Sequence, residues 1–248
     1  MSYDRLLLLL FLFGCSSMSN WRMPDDFIYD TINSNGYEIV TMQKITDDTS
    51  PVHIYIEGDG HAFNGRGMPT NDPTPHDTFL RDMATSDIGA NVVYMARPCQ
   101  YIMSPTCTQS DWTDGRFSER IVESMAMAIK HIAASRPIVL IGYSGGAMLS
   151  GLIIQNYPEL DIEQWITIAG VLNHADWTEY FGDSPLTRSM TLNALPHVHQ
   201  LHYAAEHDNV VPVSLTQKWT DGQKLIIVPN ATHNDFGNLK INFMFQYK

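Results

Sequence analysis

Short apolar runs alternate with amphipathic stretches along most of the chain. Runs rich in Val, Ile and Tyr predict strands, and stretches with helical spacing of apolar residues predict helices. The predicted strands cover 27–33, 37–45, 52–57, 91–96, 137–143, 164–169, 199–204 and 224–228. The predicted helices cover 77–86, 117–135, 145–157, 213–221 and 236–245. Strands that alternate with helices require crossover connections, so this pattern predicts a mostly parallel sheet with helices on both faces.

Local signals add detail to this α/β pattern. Residues 34–36, Ser-Asn-Gly, lie between the first two strands and predict an antiparallel N-terminal hairpin. The run 137–143 is almost continuously apolar, which is typical of a strand buried on both faces of a parallel sheet. Ser118 is expected to cap the helix that follows it. No linker-like change in composition interrupts the series, so residues 27–248 are predicted to form a single domain.

The N-terminal residues have the pattern of an export signal. Residues 6–13 form an unbroken apolar run, which is too short to cross about 30 Å of hydrocarbon as a helix. Residues 12–15, Leu-Phe-Gly-Cys, resemble the bacterial lipobox. That resemblance implies a signal peptide over 1–14, an acylated Cys15 and a tether over 15–26. It also implies anchoring in the cell envelope, with Ser16 favouring the outer membrane. The alternative is a buried N-terminal helix.

Composition and charge exclude several classes of protein. The chain has 248 residues, of which 44% are hydrophobic and 17% charged, as in globular proteins. Fifteen Lys and Arg against 27 Asp and Glu give a net charge of −12. Because so acidic a chain repels phosphate backbones, we expect no binding to nucleic acid. The sequence carries no indication of oligomeric state.

The cysteine count fits an exported protein. There are three cysteines, and acylation of Cys15 would leave Cys99 and Cys107. An even remainder in an exported chain predicts a disulfide, with two free thiols as the alternative. The loop that holds them begins at the predicted carboxyl end of a strand, where α/β sheets bind ligands. The sequence leaves two interpretations of this loop open. With Trp112 and Arg116, it forms a wall of the substrate pocket; alternatively, it is a surface loop that the disulfide closes and that has no part in the pocket.

Residues 142–146, Gly-Tyr-Ser-Gly-Gly, form the motif G-x-S-x-G. The motif lies between a predicted buried strand and a predicted helix, where a nucleophile elbow has to be. Its glycines leave room for the strained turn that lifts the Ser144 hydroxyl above the sheet. The alternative is a glycine-rich turn with a structural serine.

With this motif in place, residues 27–248 resemble the α/β-hydrolase family. The resemblance implies a nucleophile, an acid and a histidine in that order, each after a strand. Asp208, in the stretch Asp-Asn-Val-Val-Pro, matches the family's acid turn, and Glu206 is its rival. His233 follows the last strand, where the family keeps its base. The alternative for His233 is an ordinary surface-loop histidine.

An oxyanion hole is implied by the same resemblance. One donor is expected to be the backbone N–H of Gly145, which follows the nucleophile. The loop Glu57-Gly58-Asp59-Gly60 resembles the family's His-Gly-x-Gly loop, so Asp59 is expected to supply the second N–H, with Gly60 as the neighbouring candidate. Glu57 stands where the family often has histidine.

Taken together, these features predict a serine hydrolase that cleaves carboxylic esters through an acyl-Ser144 intermediate. Neither a metal nor an organic cofactor is expected. The segment 171–196 is a short cap, which favours a small or medium ester as the partner molecule. A lipase or phospholipase, an acyltransferase and a peptidase use the same triad, and the fold does not choose among them. A non-catalytic lipoprotein that serves as a binding scaffold is the rival from another class.

Overall fold

A single twisted sheet organises the chain in the computed structural model, which describes residues 21–220 and 224–243. Eight strands lie in the order β1-β2-β4-β3-β5-β6-β7-β8. Their bounds are β1 Ile28–Ser34, β2 Tyr37–Ile45, β3 Val52–Ile56, β4 Asn91–Met95, β5 Ile138–Tyr143, β6 Ile162–Ile168, β7 His199–Ala205 and β8 Leu225–Val228. Strands β3 to β8 pair in parallel, β1 and β2 form an antiparallel hairpin, and β2 lies antiparallel to β4. The mostly parallel sheet with an N-terminal hairpin is therefore confirmed.

Helices cover both faces of the sheet. Their bounds are α1 Phe79–Thr85, α2 Glu119–Ala133, α3 Gly145–Asn156, α4 His174–Phe181 and α5 Val213–Trp219. Because side chains alternate along a strand, β3 sends Ile54 and Ile56 to one core and Tyr55 to the other. The first core packs against α2 and α3, and the second packs against α1 and the segment after β8. These two hydrophobic cores, one on each face of the sheet, fix the positions of the carboxyl ends of the parallel strands.

One local prediction was wrong, and another is confirmed only in its position. The helix predicted over 236–245 is absent from its described part, 236–243, where the backbone is irregular. Gly237 has a φ of +56°, which no helix contains, and Asp235 accepts its N–H. Ser118 stands at the N-cap of α2, but its side chain makes no capping bond and its hydroxyl is buried without a partner among the described residues.

The predicted cap is short in the structure as well. The segment between β6 and β7 contains a single helix, α4. Asn173 caps α4 by accepting the N–H of Asp176, and Gly182 ends it in the left-handed conformation. Trp177 of α4 donates its indole N–H to the carbonyl of Val210. This bond ties the cap to the loop after β7.

The described chain begins at Trp21, which packs against α1. Its indole N–H donates to Asp82, and the Arg81 guanidinium lies 4.7 Å from its ring centroid. No helix within residues 21–220 and 224–243 has the length and apolar character needed to span a bilayer. The predicted signal peptide over 1–14 and the predicted acylation of Cys15 lie outside the described residues.

Candidate active site

Ser144 stands on a sharp turn between β5 and α3. Its backbone has a φ of +50° and a ψ of −120°, a strained conformation for a residue that is not glycine. The flanking glycines are required by close approach. A Cβ at Gly142 would lie 2.5 Å from the Cα of Ala147, and one at Gly146 would lie 2.3 Å from the carbonyl oxygen of Ile56. The strand, the strained serine and the helix together have the geometry of a nucleophile elbow.

His233 lies between Ser144 and Asp208. Its Nε2 is 3.0 Å from the Ser144 Oγ, and its Nδ1 is 2.9 Å from the Asp208 Oδ2 and 3.1 Å from Oδ1. A carboxylate only accepts hydrogen bonds, so Nδ1 carries the proton and Nε2 is left to accept from the serine hydroxyl. The structure therefore brings the three predicted residues into one hydrogen-bonded chain. The Ser144–His233 distance is within the range that proton transfer requires.

Asp208 is fixed independently of the histidine. Its side chain is completely buried, and Oδ1 accepts the backbone N–H groups of Val210 and Val211, each at 2.8 Å. Glu206, the rival acid, is exposed and accepts the N–H of Asn230 at 2.8 Å. Its nearest ionic partner is His207, at 3.8 Å. The geometry therefore places Asp208 rather than Glu206 against His233.

The loop after β3 lies directly beside Ser144. A Cβ at Gly58 would lie 3.1 Å from the Cβ of Ser144. The carbonyl of Gly58 accepts the side-chain amide of Gln100 at 2.9 Å. Because a peptide is planar and trans, the N–H of Asp59 in the same peptide points the opposite way. The N–H of Gly145, at the start of α3, has no acceptor within its helix.

No hydrogen bond within the described chain occupies either of these two N–H groups. Gly60, the third candidate, has a φ of +61°, and a Cβ there would lie 2.2 Å from the carbonyl of Pro73. Only glycine fits that place. Asp59 and Gly60 line the same cavity as Ser144, and Gly145 follows Ser144 in the chain; the role of all three as oxyanion donors stays a prediction.

The carboxylate of Asp59 turns toward two arginines. Its Oδ1 accepts from the Arg97 guanidinium, and its Oδ2 lies 3.1 Å from the Arg116 Nε. Burial would raise the pKa of Asp59, but the charges of Arg116 and then Arg97 outweigh burial and lower it. The two arginines therefore compensate the negative charge of Asp59. The same carboxylate lies close to the start of α3, since a Cβ at Gly145 would be only 2.1 Å from its Oδ1.

Glu57, at the start of the same loop, is fully buried. Its Oε1 accepts the N–H of Gly58 and its Oε2 accepts the hydroxyl of Tyr94, both at 2.8 Å. Burial nevertheless dominates and raises the pKa of Glu57 to about 7, against the two hydrogen bonds that lower it. The carboxyl thus holds the first turn of the loop, in the place where the hydrolase family often has histidine.

A disulfide joins Cys99 and Cys107, as predicted, with their Cα atoms 5.8 Å apart. The bridged loop follows β4 and carries Gln100, whose side chain accepts the N–H of Arg97 and donates to Gly58. The loop is therefore part of the support for the site. Trp112 does not line the cavity at Ser144; it is buried and donates its indole N–H to the carbonyl of Thr70.

Ser144 and His233 open into a cavity of about 270 Å³. Arg116 lines it, in agreement with one of the two sequence-based alternatives. It is also lined by Tyr143, Val211, His174 and Trp177, which lie in segments that the sequence marked as the elbow, the acid turn and the cap. Asp77 and Phe117 line it too, and neither carried a functional signal in the sequence. Within residues 21–220 and 224–243, no cluster of His, Cys, Asp and Glu side chains has the arrangement of a metal site.

Comparison with known proteins identifies the fold. No protein-family model matches the chain, and no curated protein matches it in sequence. Among solved structures it is similar to XC6422 from Xanthomonas campestris, an α/β serine hydrolase without a lid, with a TM-score of 0.55 and 15% identity over 87% of this chain and 89% of that one. An α/β serine hydrolase homologue from Coxiella burnetii gives 0.56 and 14% over 86% and 91%.

Est1E from Butyrivibrio proteoclasticus gives a TM-score of 0.58 and 13% identity over 84% of this chain and 90% of that one. These similarities extend over most of each chain. The chain therefore has the α/β-hydrolase fold.

Proposed function

We propose that the protein is a serine hydrolase that cleaves carboxylic esters. The observation that carries this proposal is the continuous chain of hydrogen bonds from Asp208 through His233 to Ser144, with the serine on a strained elbow. A serine hydroxyl is a weak nucleophile until a neutral imidazole accepts its proton. The solved structures with this fold include serine hydrolases, which supports the same chemistry here.

The reaction follows from these positions. Ser144 Oγ attacks the ester carbonyl while His233 Nε2 takes its proton, and Asp208 stabilises the imidazolium without accepting that proton. The N–H groups of Asp59 and Gly145 bind the oxyanion of the tetrahedral intermediate. His233 then protonates the leaving alcohol, and the acyl-Ser144 remains. A water molecule, deprotonated by His233, attacks the acyl group and releases the carboxylic acid.

The size of the site favours small or medium esters over long ones. The cavity of about 270 Å³ is bordered by one short helix, α4, and by the loop that follows β7. A lid that buries a long acyl chain would need a larger insertion than the segment between β6 and β7 provides. Esters with short acyl or alcohol groups are therefore the proposed substrates.

Labelling with a fluorophosphonate tests the central claim. A fluorophosphonate reacts with an activated serine, so mass spectrometry should find the label on Ser144 in the wild-type protein. Ser144→Ala should take up no label and should lower kcat on a short ester by on the order of 10³–10⁶. A folded wild-type protein that takes up no label and cleaves no ester would instead support a binding scaffold.

We also propose that the protein is anchored to a bacterial membrane through Cys15. The proposal rests on the lipobox resemblance of residues 12–15. Several acyl chains anchor a protein stably, since each buried CH₂ contributes about 0.8 kcal/mol. Cys15→Ala should move the protein from the membrane fraction to the soluble fraction. Retention of the variant in membranes would contradict the proposal.

A further inference from the structure

Arg116 is a buried cation in the wall of the catalytic cavity. Its side chain lines the same space as Ser144, and the residue is only 4% exposed. Its Nε is buried and makes no hydrogen bond within the described chain, although it lies 3.1 Å from the Asp59 carboxylate. The hydrogen bonds of the described residues include none donated by this guanidinium. A guanidinium has five N–H donors, and leaving the buried Nε without an acceptor is costly.

The local charges leave Arg116 undercompensated. Asp59 is shared by two arginines, and Arg97 makes the closer contact. Arg97 also donates to the backbone carbonyl of Arg116 at 2.6 Å, so both terminal nitrogens of its guanidinium already have acceptors. Within ion-pair distance one carboxylate faces two guanidinium groups, and of the two arginines it is Arg116 that lines the cavity.

The acids across the cavity do not supply the missing partner. Glu57 uses both oxygens on Gly58 and Tyr94, and its raised pKa of about 7 reduces its charge near neutral pH. The Oδ1 of Asp77 accepts the N–H of Phe79 at 3.1 Å. Among the described ion pairs, Arg116 is joined to Asp59 alone.

Aromatic rings hold the Arg116 guanidinium in place. It lies 5.7 Å from the ring centroids of Phe117 and Trp177 and 5.8 Å from that of Phe63. Rings at these distances attract a cation and restrict its planar fork. The cation is therefore preorganised before any ligand arrives. On the same wall, the Nδ1 of His174 is buried without a hydrogen-bond partner among the described residues.

We propose that Arg116 binds an anionic group, a carboxylate or a phosphate, that is carried by the ester substrate. This inference rests on the proposed esterase activity and names the class of substrate. A planar guanidinium that is largely buried is suited to such anions because it pairs with two oxygens at once. Arg116 contributes its charge to Asp59, but only Arg97 makes a hydrogen bond with that carboxylate, so the N–H donors of Arg116 remain available to a ligand.

A matched pair of substrates tests the proposal. The 4-nitrophenyl monoester of glutaric acid carries a terminal carboxylate, and 4-nitrophenyl pentanoate has an acyl chain of the same length without a charge. The wild-type protein should show a kcat/KM about 10- to 100-fold higher for the anionic ester, as expected of a charge-assisted hydrogen bond. Arg116→Gln should abolish that preference, and Arg116→Lys should keep part of it.

Arg188→Gln is the control for loss of a positive charge outside the pocket, since its side chain is 70% exposed. This variant should keep the wild-type preference. Equal or better turnover of the neutral ester by the wild-type protein would overturn the inference while leaving the esterase proposal intact. That outcome requires no variant to fold.

A binding experiment separates the inference from catalysis. Trp177 lies beside Arg116, so its fluorescence should change when glutarate or inorganic phosphate binds to the Ser144→Ala protein. A response to glutarate alone identifies a carboxylate site, and a response to phosphate alone identifies a phosphate site. Loss of the response in Ser144→Ala/Arg116→Gln supports the proposal. No response to either anion would overturn the inference. The binding experiment does not depend on catalysis, so its outcome is independent of fluorophosphonate labelling, which tests the esterase proposal.

Discussion

Replacing Asp208 by Asn changes one atom of the site and reverses one hydrogen bond. The Asn carbonyl oxygen should take the place of Oδ1, because that atom accepts the N–H groups of Val210 and Val211. Turning the amide around would lose two bonds worth about 1 kcal/mol each, a preference of roughly 30-fold. The amide nitrogen then stands at the Oδ2 position, 2.9 Å from the His233 Nδ1.

Two donors cannot face each other at that distance, so His233 should change its tautomer. Nδ1 becomes the acceptor and Nε2 carries the proton toward Ser144, where it cannot act as a base. In the serine-protease template the same change costs about 10⁴-fold in kcat, which corresponds to about 5.5 kcal/mol. The fold should remain, since both backbone N–H groups keep their acceptor.

The assay is kcat and kcat/KM on a short 4-nitrophenyl ester, with circular dichroism to confirm folding. Glu206→Gln is the matched control, a carboxyl-to-amide change two residues away on an exposed side chain. It should leave turnover within a few-fold of wild type. If Asp208→Asn keeps more than a tenth of the activity while Glu206→Gln loses it, Glu206 is the acid and the tautomer argument is wrong.

Three further predictions concern stability, and urea unfolding measures each. Cys99→Ser with Cys107→Ser should lower the free energy of unfolding by about 2–3 kcal/mol in the chain-entropy model, and no loss would mean that the bridge does not constrain the unfolded chain. Gly60→Ala should cost more than about 1 kcal/mol because of its φ of +61° and its contact with Pro73, so an unchanged stability would contradict that close approach. Glu57→Gln should alter the pH dependence of the free energy of unfolding. A carboxyl whose pKa rises from 4.5 to about 7 on folding stabilises the protein at low pH and loses that contribution as the pH rises through this range. The wild-type protein should therefore lose stability relative to the variant between these pH values, and parallel stability curves for the two proteins would refute the shift.

The sequence predicted best what short-range chemistry determines. The hairpin turn at Asn35-Gly36 and the elbow at Ser144 depend on glycine at specific backbone positions, and such positions are readable from a few residues. Asp208 and His233 were predicted from the family order after β7 and β8. Their contact distances depend on how the parallel strands pack side by side, which is fixed by the two cores.

The features that the sequence missed depend on contacts between distant segments. Arg116 was predicted as a pocket wall in one of two alternatives, but its neighbour His174 was not, because the two lie far apart in the chain and share a wall only where α4 packs against the segment before α2. The predicted C-terminal helix failed because Gly237 adopts a positive φ while Phe236 inserts into the second core. The tertiary contact of Phe236 determines the backbone conformation of this segment, although the spacing of its apolar residues would also fit a helix.

The disulfide loop contains strained residues that help to support the catalytic site. Cys99 and Tyr101 both have positive φ values, +72° and +65°, which cost energy in residues other than glycine and persist only where neighbouring contacts enforce them. The bridge to Cys107 and the bond from the Tyr101 N–H to Thr74 supply such contacts. Between the two strained residues, Gln100 is held with its amide on the Gly58 carbonyl. That bond orients the peptide whose N–H faces the reacting carbonyl in the proposed mechanism. The strain after β4 is therefore linked to the orientation of the oxyanion loop, and the loop would lose that orientation if the bridged segment relaxed.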